Sequence, residues 1–153
     1  EAEALRMMEE AVRQNSEFWL ARLNLAELYL AAGRHAEARE EIQQARRLAP
    51  DSNLVMATQV VILTAAGEQA GADEVIAEMA QKASREYVSP YYLAVAYAGL
   101  GDQEVAIGWL QKAVAEKNPM LVFLGVDSVW DGLRFRPEFE EILQQVNLAD
   151  NLN

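Results

Sequence analysis

Gly33, Gly67 and Gly101 stand 34 residues apart, and the residues around them repeat at the same interval. Four residues before each glycine comes a large side chain, Tyr29, Leu63 or Tyr97. Five residues after it comes Ala38, Ala72 or Ala106, and nine after it Ile42, Ile76 or Leu110. Small residues let two helices approach closely, and large apolar ones fill the space between layers. A fixed period of this length with this alternation is the mark of stacked helix–turn–helix units. The period therefore predicts an all-α chain and weighs against a catalytic architecture.

Extended backwards, the period places Ala4, Met8 and Ala11 where Ala38, Ile42 and Ala45 stand. Residues 1–16 thus read as a half repeat, the second helix of an earlier unit, and the chain as a stretch cut from a longer protein. Such a helix is expected to fray or to pair with another molecule. Extended forwards, the period fails: Phe135 and Glu140 stand where a glycine and an alanine belong. Residues 121–153 are therefore expected to form a cap, with a helix at about 136–147 covering the apolar face of the last unit. Between these ends, spacing predicts helices over 17–32, 35–48, 53–66, 69–83, 88–100 and 103–116. Ser89 is expected to cap with its side chain ahead of Pro90, and Asp102 to cap the last helix of the array. With no linker in sight, the whole chain reads as one domain.

Composition narrows the function. The net charge of −11 repels phosphate backbones and anionic lipid, so neither nucleic-acid binding nor direct membrane contact is expected. No apolar run approaches the roughly 18 to 20 residues that cross a bilayer. The absence of cysteine removes disulfides, thiol catalysis and zinc–thiolate clusters.

The repeat resembles the tetratricopeptide repeat (TPR). Residues 19–52 supply Leu25, Ala26, Tyr29, Gly33, Ala38, Ile42, Ala45 and Pro50 in its order, and residues 87–120 supply Leu93, Ala94, Tyr97, Gly101, Ala106, Leu110 and Ala113. Residues 53–86 are degenerate, with Gln59, Val60, Met79 and Ser84 at consensus places. The resemblance implies a right-handed α–α superhelix, a TPR solenoid, with C-terminal capping helices. The tail, from Tyr87-Val88-Ser89-Pro90-Tyr91 to Leu133-Arg134-Phe135-Arg136-Pro137, is similar to the C-terminal TPR end of bacterial multidomain regulators. Those parents begin with winged-helix, Ser/Thr kinase or adenylate-cyclase domains. Ser128-Val129-Trp130-Asp131 departs from that pattern, which usually carries a proline and an acid there. A cytoplasmic location is favoured, and an extracytoplasmic one follows if the parent carries a membrane helix.

In TPR arrays the first helix of each unit lines the binding groove. The resemblance therefore implies Leu20, Leu23, Asn24, Glu27, Thr58, Val61, Tyr91, Tyr92 and Val95 as groove-lining residues. None of the 13 basic residues falls on this surface. A clamp for a peptide carboxylate needs lysine, arginine and asparagine there, and Asn24 alone fits. The expected ligand is an apolar protein or peptide segment, bound by a non-catalytic scaffold. The same positions also fit packing against the cap or further units, or a homodimer in which the half repeat pairs through Met7, Met8 and Val12.

No metal, cofactor or catalytic group is expected. His35, the single histidine, follows a turn where an aromatic commonly packs between helices. Adjacent acids such as Glu9-Glu10 and Glu140-Glu141 diverge by about 100° around a helix and do not form an acid–base pair. Trp19 and Trp109 read as packing residues, and Trp130 as the anchor of the cap.

Overall fold

In a computed structural model that describes residues 2–146, every regular element is a helix. Residue 1 and residues 147–153, on which the ends of the predicted half repeat and cap fall, lie outside the described residues. The helices are α1 (Ala2–Gln14), α2 (Trp19–Ala31), α3 (His35–Leu48), α4 (Asn53–Ala65), α5 (Gln69–Ala83), α6 (Pro90–Leu100), α7 (Gln103–Ala115) and α8 (Pro137–Gln145). Two 3₁₀ turns, Pro119–Phe123 and Ser128–Leu133, stand between α7 and α8.

The periodic glycines close the helix pairs. Gly33, Gly67 and Gly101 adopt φ of 72°, 79° and 90°, a left-handed region that favours glycine. The amide that follows each one donates to the carbonyl of Tyr29, Leu63 or Tyr97, at 2.8, 2.9 and 2.9 Å. The large residue four places before each glycine is thus the acceptor that ties off its helix. Asp102 caps α7 as expected, accepting from the Val105 amide at 3.3 Å. Ser89 does not cap α6 with its side chain. Its hydroxyl instead accepts from Asn118 Nδ2 at 2.9 Å, and Pro90 fixes the first turn alone.

The chain divides between Glu78 and Met79, inside α5, into two compact units. In the first, α2 and α3 approach over Ala26, Ala38 and Ala45, all fully buried, with Ile42 filling the gap between them. Arg22 Nη1 donates to Glu41 Oε2 at 2.7 Å and joins the same two helices. α1 lies on α2 through buried Leu5 and Val12, so the half repeat is a formed, docked helix.

In the second unit, α6 and α7 approach over Ala94, Ala106 and Ala113. Beneath them Trp130, fully buried, meets Tyr91 edge-on at 5.6 Å and stacks on Phe139 at 6.4 Å. Trp130 therefore anchors the C-terminal elements, with α8 adding Ile142 and Leu143 to the same core. The two 3₁₀ turns had no periodic signal to announce them, because five or six residues make fewer than two turns of any helix.

Two glycines separate backbone need from helix propensity. Alanine at Gly101 is expected to destabilise the fold by about 1–2 kcal/mol, the cost of a left-handed residue with a Cβ. Alanine at Gly108, inside α7 with nothing within 4 Å of an added Cβ, is expected to stabilise it by about 0.5–1 kcal/mol. Urea unfolding of the two variants checks both signs.

Candidate protein-binding surface

The predicted groove residues fall into separate environments. On α2, Leu20 and Asn24 are half-buried and Glu27 is exposed, at i, i+4 and i+7 along one side. Leu23 is only 2% exposed. It stands about 60° around the helix from Leu20, enough to turn it into the core beside Leu25 and Ala26. On α4, Val61 is half-buried while Thr58 is 6% exposed. On α6, Tyr92 and Val95 are half-buried against the second core, and Tyr91 is 2% exposed within it. The expectation that Leu23, Thr58 and Tyr91 stand open is thus corrected by their burial.

Asn24 and Glu27 instead face α1. With Leu28 from their own helix and Ala4, Met7 and Met8 from α1, they line a groove of roughly 510 Å³. Its walls are apolar except for one amide and one carboxylate, and none of its lining residues is basic. Met7 is 68% exposed on its edge. Val12, expected to be free for pairing, is buried in the first unit, because it recurs with Leu5 on the side of α1 that faces α2. The repeat arithmetic that made Ala4 and Met8 the counterparts of Ala38 and Ile42 was the available signal for this groove.

A polar latch holds α1 in place. Tyr29 Oη donates to Glu9 Oε1 at 2.8 Å, and the Arg34 guanidinium lies 4.4 Å over the Tyr29 ring and 3.8 Å from Glu9. Burial, then the Glu9 carboxylate that accepts from it, pushes the Tyr29 phenol up to about 12. His35, expected between helices, opens α3 with its side chain exposed. Among the described residues no group of three or more His, Cys, Asp or Glu side chains is placed to hold a metal. Nor is any helix there long and apolar enough to cross a membrane.

Comparison with known families agrees with this arrangement of paired helices. The sequence profile of the tetratricopeptide repeat matches residues 2–124. The chain belongs to the tetratricopeptide repeat family. Repeats of this family generally serve as scaffolds for protein interaction. None of the curated proteins compared with the chain matches it.

Within the TPR array, Tyr91 has a structural place. Its hydroxyl donates to Asp127 Oδ2 at 3.3 Å, and Tyr92 meets its ring edge-on at 5.9 Å. Burial raises the Tyr91 phenol above its ordinary range, and the nearby Asp127 charge raises it further. Burial also raises the Asp127 carboxyl, opposed by the hydrogen bond from Tyr91. Tyr91 therefore ties α6 to the turn before Trp130.

The TPR latch on α1 has a pH signature. A phenol whose folded pKa is raised contributes stability that is complete below its ordinary value of 10.0 and is lost as pH rises through about 12. The phenolate absorbance removed by Tyr29→Phe is expected to titrate near 12. A lost component titrating near 10 contradicts a phenol that is both buried and hydrogen-bonded to Glu9.

Proposed function

We propose that this chain is a non-catalytic scaffold that recognises an apolar segment of a protein partner. The groove between α1 and α2 carries the reading: Met7, Met8 and Leu28 offer a desolvatable wall in a chain of net charge −11. The lack of a basic lining residue argues against capture of a C-terminal carboxylate, since nothing there supplies the charge-assisted bond that selects an anion. Leu20 and Val61 in the first unit, and Tyr92 and Val95 in the second, supply further half-exposed apolar contact. The tail motifs support a wider reading of the chain as the C-terminal part of a bacterial regulator acting in the cytoplasm. Full-length sequence with no regulatory or catalytic domain upstream removes that wider reading.

Self-association is a second reading, favoured by the exposure of Met7. With Val12 buried, Met7 and Met8 would carry it. A molecular mass that stays that of one chain across a concentration series removes it.

Titration calorimetry with apolar peptides in free-acid and amidated forms tests the scaffold. Amidation is expected to change Kd by less than about threefold, well under 1 kcal/mol, and Met7→Glu to weaken binding by about tenfold or more. Binding that needs the free carboxylate and is lost on Asn24→Ala contradicts it.

A further inference from the structure

α7 closes as α2, α4 and α6 do, through a residue in the left-handed region. The Asn118 amide donates back to the Ala113 carbonyl at 3.0 Å, the same bond that the amides after Gly33, Gly67 and Gly101 make. At this closure the left-handed residue is Lys117, with φ of 53°. Among the described residues it is the one residue other than glycine with a positive φ. A lysine there costs stability that a glycine would not, and outliers of this kind concentrate at sites that hold a ligand.

Lys117 lines a concavity of roughly 280 Å³ with Val114 from α7, Leu121 and Val122 from the first 3₁₀ turn, and Val146 after α8. It is the one charged residue in that lining. No acid joins it there, in a chain where 24 acids outnumber 13 bases. Lys117 is exposed, and among the described residues its side chain has no ion pair or hydrogen bond. Glu116 beside it is engaged elsewhere, accepting from Tyr87 Oη at 2.8 Å. Asn118 is held at both atoms of its amide: Oδ1 accepts from the Met120 amide at 3.0 Å, and Nδ2 donates to Ser89 Oγ at 2.9 Å. The turn that carries Lys117 is thus fixed on both sides while its charge is unanswered.

We propose that this concavity binds a small free monocarboxylate with a short branched apolar tail. Its carboxylate pairs with Lys117, and its tail lies among Val114, Leu121, Val122 and Val146. The scaffold reading of the α1–α2 groove neither needs this site nor is needed by it. A carboxylate answers the ammonium with a charge-assisted bond, and the tail removes apolar wall from water. The volume lies just below the range that drug-sized ligands fill, so the tail is short. A peptide terminus fits less well. The peptide groups that precede it need partners, and the Asn118 amide in the wall is already committed.

The test titrates the 153-residue chain with isocaproate and follows its valine and methionine methyl resonances. Expected is a saturable shift of Val122 and Val146, with Met7 and Met8 unmoved. Isocaproamide, which lacks the charge, and acetate, which lacks the tail, are each expected to bind about tenfold more weakly or worse. Lys117→Met is expected to weaken isocaproate binding by a similar factor. Lys117 is exposed, so an unchanged thermal melt will show that this variant folds.

Equal binding of the amide and the acid overturns the ion pair and with it the site. Binding that survives Lys117→Met, or that moves Met7 and Met8 in place of Val122, puts the ligand elsewhere and also overturns it. Tighter binding of an acetylated peptide that ends in leucine with a free carboxylate makes a chain terminus the occupant, against the proposal. No saturable shift at millimolar isocaproate removes the site outright and leaves the scaffold reading standing.

Discussion

Two helices can come no closer than the side chains at their crossing allow, and this limit governs both units of the chain. In the first unit Ala26, Ala38 and Ala45 are the crossing residues, and in the second Ala94, Ala106 and Ala113. With a methyl at each contact, the backbones approach until Ile42 or Leu110 fills what remains. A leucine at any of these alanines would have to displace packed neighbours, at about 1–3 kcal/mol or more. The glycine turns serve the same contact, since a sharp reversal is what brings the second helix back onto the first.

The first-unit polar contacts follow from that approach. Arg22 meets Glu41 because α2 and α3 already lie side by side, and Tyr29 reaches Glu9 because α1 rests on α2. The latch of Tyr29, Glu9 and Arg34 bears most on the proposed scaffold role, because it holds α1, one wall of the groove. Without it, α1 would depend on its apolar contacts for its position on α2, chiefly buried Leu5 and Val12 with half-buried Met8.

Much of this was legible in sequence because the repeat is a physical constraint read three times. Helix limits, the left-handed glycines and the Asp102 cap all follow from local chemistry. The tail was legible only where side-chain size spoke, as at Trp130, and its 3₁₀ turns were too short to carry a period. Of the predicted groove, Asn24 and Glu27 do line a concavity, but one shared with α1 instead of with α4. Leu23, Thr58 and Tyr91 turned inward because a shift of 60° or so around a helix separates surface from core. Spacing along one helix does not resolve that difference when both positions are large or polar. Ser89 departs from its expected capping role for another reason: its hydroxyl accepts from Asn118, 29 residues away.

α1 is docked on one side through Leu5 and Val12 and exposed at Ala4 and Met7 on the other, where α3 is packed on α2. Amide hydrogen exchange along the unliganded chain measures that difference directly, because protection follows the free energy of local opening. Residues 6–14 are expected to exchange well ahead of their counterparts 40–48, at a protein concentration where the chain is monomeric. Equal protection of the two stretches would contradict it, for it would mean that α1 is held as firmly as α3 although Ala4 and Met7 are exposed.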